Sequence, residues 1–481
     1  MKKKKSVRKA GTKKKRILSP AGPRMILLPE KGGALVHLEI ALRSGSLRDP
    51  VGKEGTASLT LSMLLRGTAS KKSSEFHRAL DNIGAEIHLG KYKESMRIYG
   101  VCLTEKLPQF LDLLEEMLVE PAFRQDEFEK VRSQVRSALL DELGSDDEIA
   151  DRRFQEYLLW GNSYGRMTSG SLESLENISV EDLRTFHRSF FRAGDIVVGA
   201  SGGFDRNTLQ NRLKKILQRL PGGNAEALEA DAPHFKNGKM LLLLEKSERT
   251  QAQIYIGAPG ISFAHKDYFS MLIANHVFGG SSFSARLMKE IREKRGWSYG
   301  CYSWYRSGKQ PLYFGMHAVP SNKDAIPALR LMISLFQAYA KNGISKEEFA
   351  FAKESLVSQS AFLQDTLRKR LDNKVTEAVL DLPKGFYDQY QKRLARLTYG
   401  EVQRAIKKHV DAGKIFALVL GTVDELGLEV SGIKGFTKIW KRKFDEPATD
   451  LAEQAQYILA DRKSTRLNSS HITISYAVFC L

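Results

Sequence analysis

Apolar and polar residues alternate with a period of two through ALVHLEIALRSGS, beginning at Ala34, and again through AQIYIGAPG, beginning at Ala252. Side chains of a strand point to opposite faces in turn, so each stretch predicts a strand with one buried face. Each leads through a loop into an apolar helix. The first of these is GTASLTLSMLLRGT, residues 55–68, entered from a loop and left through a glycine. Its residues Ala57, Leu61, Leu64 and Leu65 are expected to bury one face. Strongly charged helical stretches follow in both halves, near 125–143 and 346–370.

The pattern then repeats. ISVEDLRTFHRSFFRAGDIVVGASGG begins at Ile178, and LTYGEVQRAIKKHVDAGKIFALVLGT begins at Leu397. Both read as a capped helix, a turn and an apolar strand. A shift of 219 lays Ala193 and Gly194 on Ala412 and Gly413, and Gly202 on Gly421. Two copies of one unit explain this order. Strands, then long helices, then a strand favour an α+β fold, two repeats of a mostly antiparallel sheet with packed helices. The expected organisation is a basic arm over 1–16, a first domain over 17–221, a polar linker over 222–238, a second domain over 239–445 and a tail over 446–481.

Charge changes this picture only at the ends. Of the formal +19, ten charges lie in the first sixteen residues and three are Arg462, Lys463 and Arg466, which leaves +6 on the body. A body so mildly basic, with no basic stripe interleaved with aromatics, gives no reason to expect a nucleic-acid partner. The head reads as a solvated, disordered arm, with contact to an anionic membrane surface as the sharper reading. No apolar run of signal-peptide length follows it, and no membrane-spanning run is seen, so the expected location is cytoplasmic. Residues 462–481 read as translated run-on sequence, outside the fold. The cysteines Cys102, Cys301 and Cys480 are far apart and form no CxxC, which fits a reduced compartment and excludes a cysteine-based zinc site.

The segments SGSLRDPVGKEGTASLTLSMLLRGT in the first half and FGGSSFSARLMKEIREKRGWSYG in the second, with DDEIADRRFQEYLLWGNSYG between them, resemble the pitrilysin/insulinase family of zinc metallopeptidases, which includes the mitochondrial processing peptidases. The resemblance covers roughly residues 24–445. It implies the family's inverted zinc motif, HxxEH, on the first long helix, where two His four apart take the metal and the Glu polarises the attacking water. In this frame the chain reads Ser58, Leu59, Thr60, Leu61, Ser62. A serine hydroxyl is a poor zinc ligand beside imidazole, and Leu61 accepts no proton. The family's third ligand, a Glu on a later helix, falls near Asp141 or Glu142, which alone will not hold zinc. No two His form an HxxxH pair; His77, His88 and His187 are widely spaced and read as structural or surface residues.

What the first half lacks, the second retains. The family places an Arg and a Tyr seven apart, here Arg292 and Tyr299, and the resemblance implies that they reach from the second repeat across the cavity to the substrate near the zinc of the first. Both are suited to a carbonyl that becomes an oxyanion, because both donate hydrogen bonds. Gly279 and Gly280 precede them in a turn whose backbone can hold extended peptide; without GxGxxG or GKS/T, a nucleotide loop is not expected. The resemblance therefore implies a non-catalytic, substrate-binding subunit that binds no cofactor itself, with a homologous HxxEH subunit as partner, zinc in that partner and a peptide as substrate. An inert scaffold or peptide-binding protein of the same fold is the alternative. A hydrolase using Ser58 or Ser62 ranks last, since no His or Lys stands beside them as base.

Overall fold

The computed structural model describes residues 16–17, 23–281, 283–426 and 435–451. Most of the basic arm, residues 452–481 of the tail and Cys480 lie outside the described residues. The fold is α+β. Five strands form a first sheet in the order 24–29, 196–202, 35–42, 96–103, 86–91; six form a second in the order 298–307, 311–320, 253–259, 414–421, 238–245, 438–443. In each sheet the opening strand lies parallel to the closing strand of its repeat, and the closing, second, fourth and third strands then run antiparallel. The spatial order is the same in both, and Lys438–Lys443 adds one more parallel edge strand to the second. Gly202 ends the closing strand of the first sheet and Gly421 that of the second, as the 219-residue shift requires.

Each sheet buries one face beneath helices of its own repeat. The first core joins Leu38 and Ile98 of the sheet to Leu61, Phe110, Phe128 and Leu183; the second joins Ile254 and Met316 to Ile273, Leu329, Phe336 and Ile406. The opposite faces are covered by exchange. Helix Asp146–Leu158, from the first half, lays Ile149, Phe154 and Leu158 on Tyr255, Phe416 and Leu418 of the second sheet. Helix Leu367–Val379, from the second half, lays Leu371, Val375 and Val379 on Ala41 and Val197 of the first. Glycines admit both crossings: a Cβ on Gly199 would stand 2.7 Å from Val375, and one on Gly257 the same distance from Leu158. Polar ties fix the exchanged helices. Tyr255 Oη donates to Asp147 (2.7 Å), and Arg43 donates to Asp381 (2.6 Å) and to the carbonyl of Ala378.

Two local expectations differ from the fold. The charged stretch 346–370 is two helices, Lys346–Ser360 and one starting at Leu367, because Thr366 caps the second by accepting from the N–H of Lys369 (3.2 Å). Within the 222–238 stretch, Leu228–Glu229 pairs with Arg16–Ile17, and buried Ala230 accepts from Gln310 (3.0 Å). The first helix, Thr56–Met63, is buried around nearly its whole circumference, while Leu65 beyond it is only half-buried. Among the described residues no helix is long and apolar enough to cross a membrane.

Candidate functional site

The first helix begins where the loop at Asp49 turns back on it. Asp49 accepts from the backbone N–H groups of Gly55 and Ala57, both at 2.8 Å, so one carboxylate satisfies two donors that the opening turn leaves free. Burial nonetheless dominates and pushes the Asp49 carboxyl up to about 7. From this fixed start the zinc-frame positions follow. Ser58 is buried, Ser62 half-buried, and Leu61 is 0% exposed within the first core. Thr60 returns its hydroxyl to the carbonyl of Thr56 (2.8 Å). A leucine in the core neither reaches nor activates water, so the helix keeps its packing role and offers no base.

The acidic positions on helix Gln125–Glu142 offer no ligand set in return. Asp141 is exposed, and Glu142 is engaged by Arg152, which donates through Nε and, at 2.7 Å, through Nη2. His77 and His88 are exposed. His187 contacts the carbonyl of Leu118 at 2.9 Å, and burial holds its pKa down at about 4, so it is neutral at physiological pH. The buried thiols Cys102 and Cys301 are pushed up to about 12 by burial, which leaves them unreactive as nucleophiles.

The second half presents the opposite arrangement. Helix Tyr268–Asn275 runs into a wider turn over His276–Gly280, and a second wide turn, Lys289–Glu293, carries Arg292. Strand Ser298–Ser307 follows and carries Tyr299. The Arg292 guanidinium lies 4.3 Å from the centre of the Tyr299 ring and 5.2 Å from that of Phe283, stacked with both. Among the described residues it has no carboxylate partner. Tyr299 is 84% exposed.

A β-bulge produces that exposure. Ser298 pairs with Pro320 and Cys301 with Ala318, so Tyr299 and Gly300 together face Val319. The buried Ser298 hydroxyl pins the bulge, donating to the carbonyl of Gly300 (2.6 Å) and accepting from the N–H of Val319 (2.9 Å). An extra residue in one strand re-aims its neighbour, and here the neighbour is Tyr299. Sequence reasoning named the Arg and the Tyr but missed Ser298 and the bulge; a glycine inside an otherwise regular strand was the available signal.

Gly279 and Gly280 have a packing reason of their own. A Cβ on Gly279 would stand 2.4 Å from the hydroxyl of Ser303, and one on Gly280 2.6 Å from the amide of Asn275. Asn275 and Ser303 are themselves joined, hydroxyl to amide oxygen, at 2.6 Å. Gly279 thus lets the wide turn press against the strand that carries Tyr299, and Gly280 lets the turn close on Asn275 of the preceding helix. One further cluster escaped a search by spacing: His265, Asp267 and His409 converge in the second half, although the two His are 144 positions apart.

Residues 25–155 match the family model described as insulinase (peptidase family M16), and residues 177–356 match that described as peptidase M16 inactive domain. The non-peptidase homolog YmxG of Helicobacter pylori is 24% identical over 390 residues, spanning 79% of this chain and 88% of its own. The uncharacterized zinc protease YmxG of Bacillus subtilis is 24% identical over 370 residues, with 76% and 88% spanned. The mitochondrial-processing peptidase subunit beta of Caenorhabditis elegans is 22% identical over 276 residues, spanning 55% of this chain and 59% of its own. The fold matches that of a Pseudomonas fluorescens crystal structure described as a peptidase M16 inactive domain, with a TM-score of 0.77, 22% identity, and coverage of 85% of this chain and 98% of that one. The chain belongs to the insulinase family, peptidase family M16.

Proposed function

We propose that this chain is the non-catalytic, substrate-binding subunit of a two-chain zinc peptidase, lending Arg292 and Tyr299 to a homologous partner that carries HxxEH and the zinc. One observation carries the reading: a guanidinium that has no carboxylate partner among the described residues and a solvent-facing phenol lie against each other, on a bulge that turns the ring outward. A scaffold has no use for such a pair. Donors held in place before reaction stabilise charge as it develops, and cost no reorganisation at that moment. In the assembled enzyme the guanidinium and the phenol would donate to the peptide carbonyl as it becomes an oxyanion, while Gly279 and Gly280 keep the supporting turn tight. Zinc and the general base would come from the partner. That one relative is named a peptidase subunit and another a non-peptidase homolog supports a division of labour between chains.

The test is co-expression with an HxxEH chain encoded beside this one, followed by peptidase assay of each chain alone and of both together. Activity is expected only in the pair. Removing one oxyanion donor costs about a hundredfold in kcat or more, so Tyr299→Phe is expected to lower kcat to that extent with assembly intact. Arg292→Lys keeps the charge but loses the planar fork, and is also expected to impair turnover. Parental rates in both variants would overturn the reading in favour of the inert scaffold.

A further inference from the structure

The geometry points to a binding site for a divalent transition-metal ion of the zinc, cobalt or nickel class, built by His265, Asp267 and His409 and separate from the degenerate zinc helix. One donor atom from each of the three lies within 4.8 Å of the other two. His409 Nε2 stands 2.8 Å from Asp267 Oδ2, and His265 Nδ1 stands 3.8 Å from the same oxygen. Ligands about 2.0–2.1 Å from a tetrahedral zinc lie about 3.4 Å from one another, so these separations bracket what the ion requires. The two imidazole rings meet edge to face, with centres 4.8 Å apart and planes at 82°. That leaves ring edges free to turn toward one point. Two imidazoles and a carboxylate are the donor set that borderline divalent ions favour over magnesium or calcium.

The placement is rigid and open at once. Asp267 immediately precedes helix Tyr268–Asn275, His409 is the last residue of helix Tyr399–His409, and the two helices pack together. Side-chain exposures of 32%, 24% and 16% for His265, Asp267 and His409 shelter the donors, yet let an ion enter and water complete its shell. The cluster already attracts a cation: Lys408 Nζ lies 3.2 Å from Asp267 Oδ2. An ammonium on a flexible stem is easily displaced, so the ion would replace Lys408 at the carboxylate. It would also take the lone pair of His265 Nδ1 that now accepts from the N–H of Asp267 at 3.0 Å. Bound there, it would join the start of one helix to the end of another and stabilise the second half by mass action.

The experiment uses the full chain with any affinity tag removed. Zinc chloride is added, the protein is dialysed, and metal content is measured together with the shift in Tm on zinc addition. One zinc per chain and a rise of several degrees are expected, both lost in His265→Asn and in His409→Asn and both retained in Ser58→Ala with Ser62→Ala. Lys408→Gln is expected to tighten binding several-fold. Cobalt(II) added to the unaltered chain reads the ligand set even if a histidine variant fails to fold; an intense visible band of a four-coordinate nitrogen and oxygen site is expected. Failure of the unaltered chain to retain zinc and to give the cobalt band, or retention of zinc by a folded His265→Asn, His409→Asn double variant, would overturn the site.

Discussion

The helix Thr56–Met63 and the Arg292–Tyr299 pair are the two regions that the sequence resemblance singles out, and they are built in opposite ways. Around the helix the side chains are neutral and mostly enclosed: Leu61 is in the core, Ser58 is buried, Ser62 is half-buried, and the Asp49 carboxyl is engaged by backbone N–H groups. Around the pair, a half-buried guanidinium lies against the rings of Phe283 and Tyr299, and a pinned bulge leaves the Tyr299 ring in solvent. Core packing tolerates many apolar side chains of similar volume. A guanidinium lying on a solvent-exposed ring adds only about 0.5–1 kcal/mol to stability. The first region can therefore be explained by folding alone, whereas the second is explained by the proposed contribution to a partner.

The sharpest way to break this contrast is to put a carboxylate back. Leu61→Glu places an unpaired charge in the first core, a change of the kind that costs about 3–5 kcal/mol. Urea denaturation is expected to show a loss of that size. It should be greater at pH 8 than at pH 5, because the buried carboxyl escapes part of the cost by holding a proton. A variant as stable as the parent would mean that position 61 reaches water, and the first region would then be an open cleft.

A second measurement tests the enclosure without altering it. Burial pushes Asp49 and Glu39 each up to about 7. Glu39 is set between Arg97, at 3.0 Å, and the exchanged helix that carries Asp372. Both carboxyls bind protons more tightly in the folded chain than in the unfolded one. The stability they contribute is therefore complete below about pH 4 and is lost as the pH rises through about 7. Asp49→Asn is expected to flatten this decline by up to about 3 kcal/mol between pH 4 and pH 8. Parallel pH profiles for parent and variant would show that Asp49 lies in a wetter site than its burial indicates.

Much of this architecture was legible in the chain. The alternation at Ala34 and Ala252 marks strands, and the 219-residue shift marks the repeat, because both record which side chains face a core. The exchange of helices was not legible: nothing in residues 146–158 or 367–379 says which sheet they cover, since an apolar stripe fits either. The same limit applied to chemistry. Arg292 and Tyr299 stand seven apart and could be named, whereas His265 and His409 meet only because two helices pack together. The bulge was missed because the Ser298 hydroxyl is satisfied by backbone groups of Gly300 and Val319, and such pairings leave little trace in an apolar–polar pattern.

A smaller effect should follow from releasing the bulge. Ser298→Ala removes a hydroxyl that serves one carbonyl and one N–H, worth about 1–2 kcal/mol. The reading of the second region is sharpened if the variant loses about that much in denaturation while, in the reconstituted pair, kcat falls further than association does. Equal losses in assembly and turnover would make the bulge a general structural element.

The smallest expected change concerns Tyr299 itself. Its ring is mostly in solvent and, among the described residues, its hydroxyl has no hydrogen-bond partner, so Tyr299→Phe in the chain alone removes only a hydrated group. Surface substitutions of this kind stay within about 0.5 kcal/mol. The stacking on Arg292 persists because phenylalanine offers the same face. The Tm of the isolated chain is therefore expected to match the parent's, although the same substitution is expected to cripple the assembled enzyme. Such a residue, without effect on its own fold and costly only in company, is what a contribution in trans requires. If Tyr299→Phe instead lowers the Tm of the isolated chain by several degrees, the phenol is engaged within this chain, and the contrast between an enclosed first region and a waiting second one is lost.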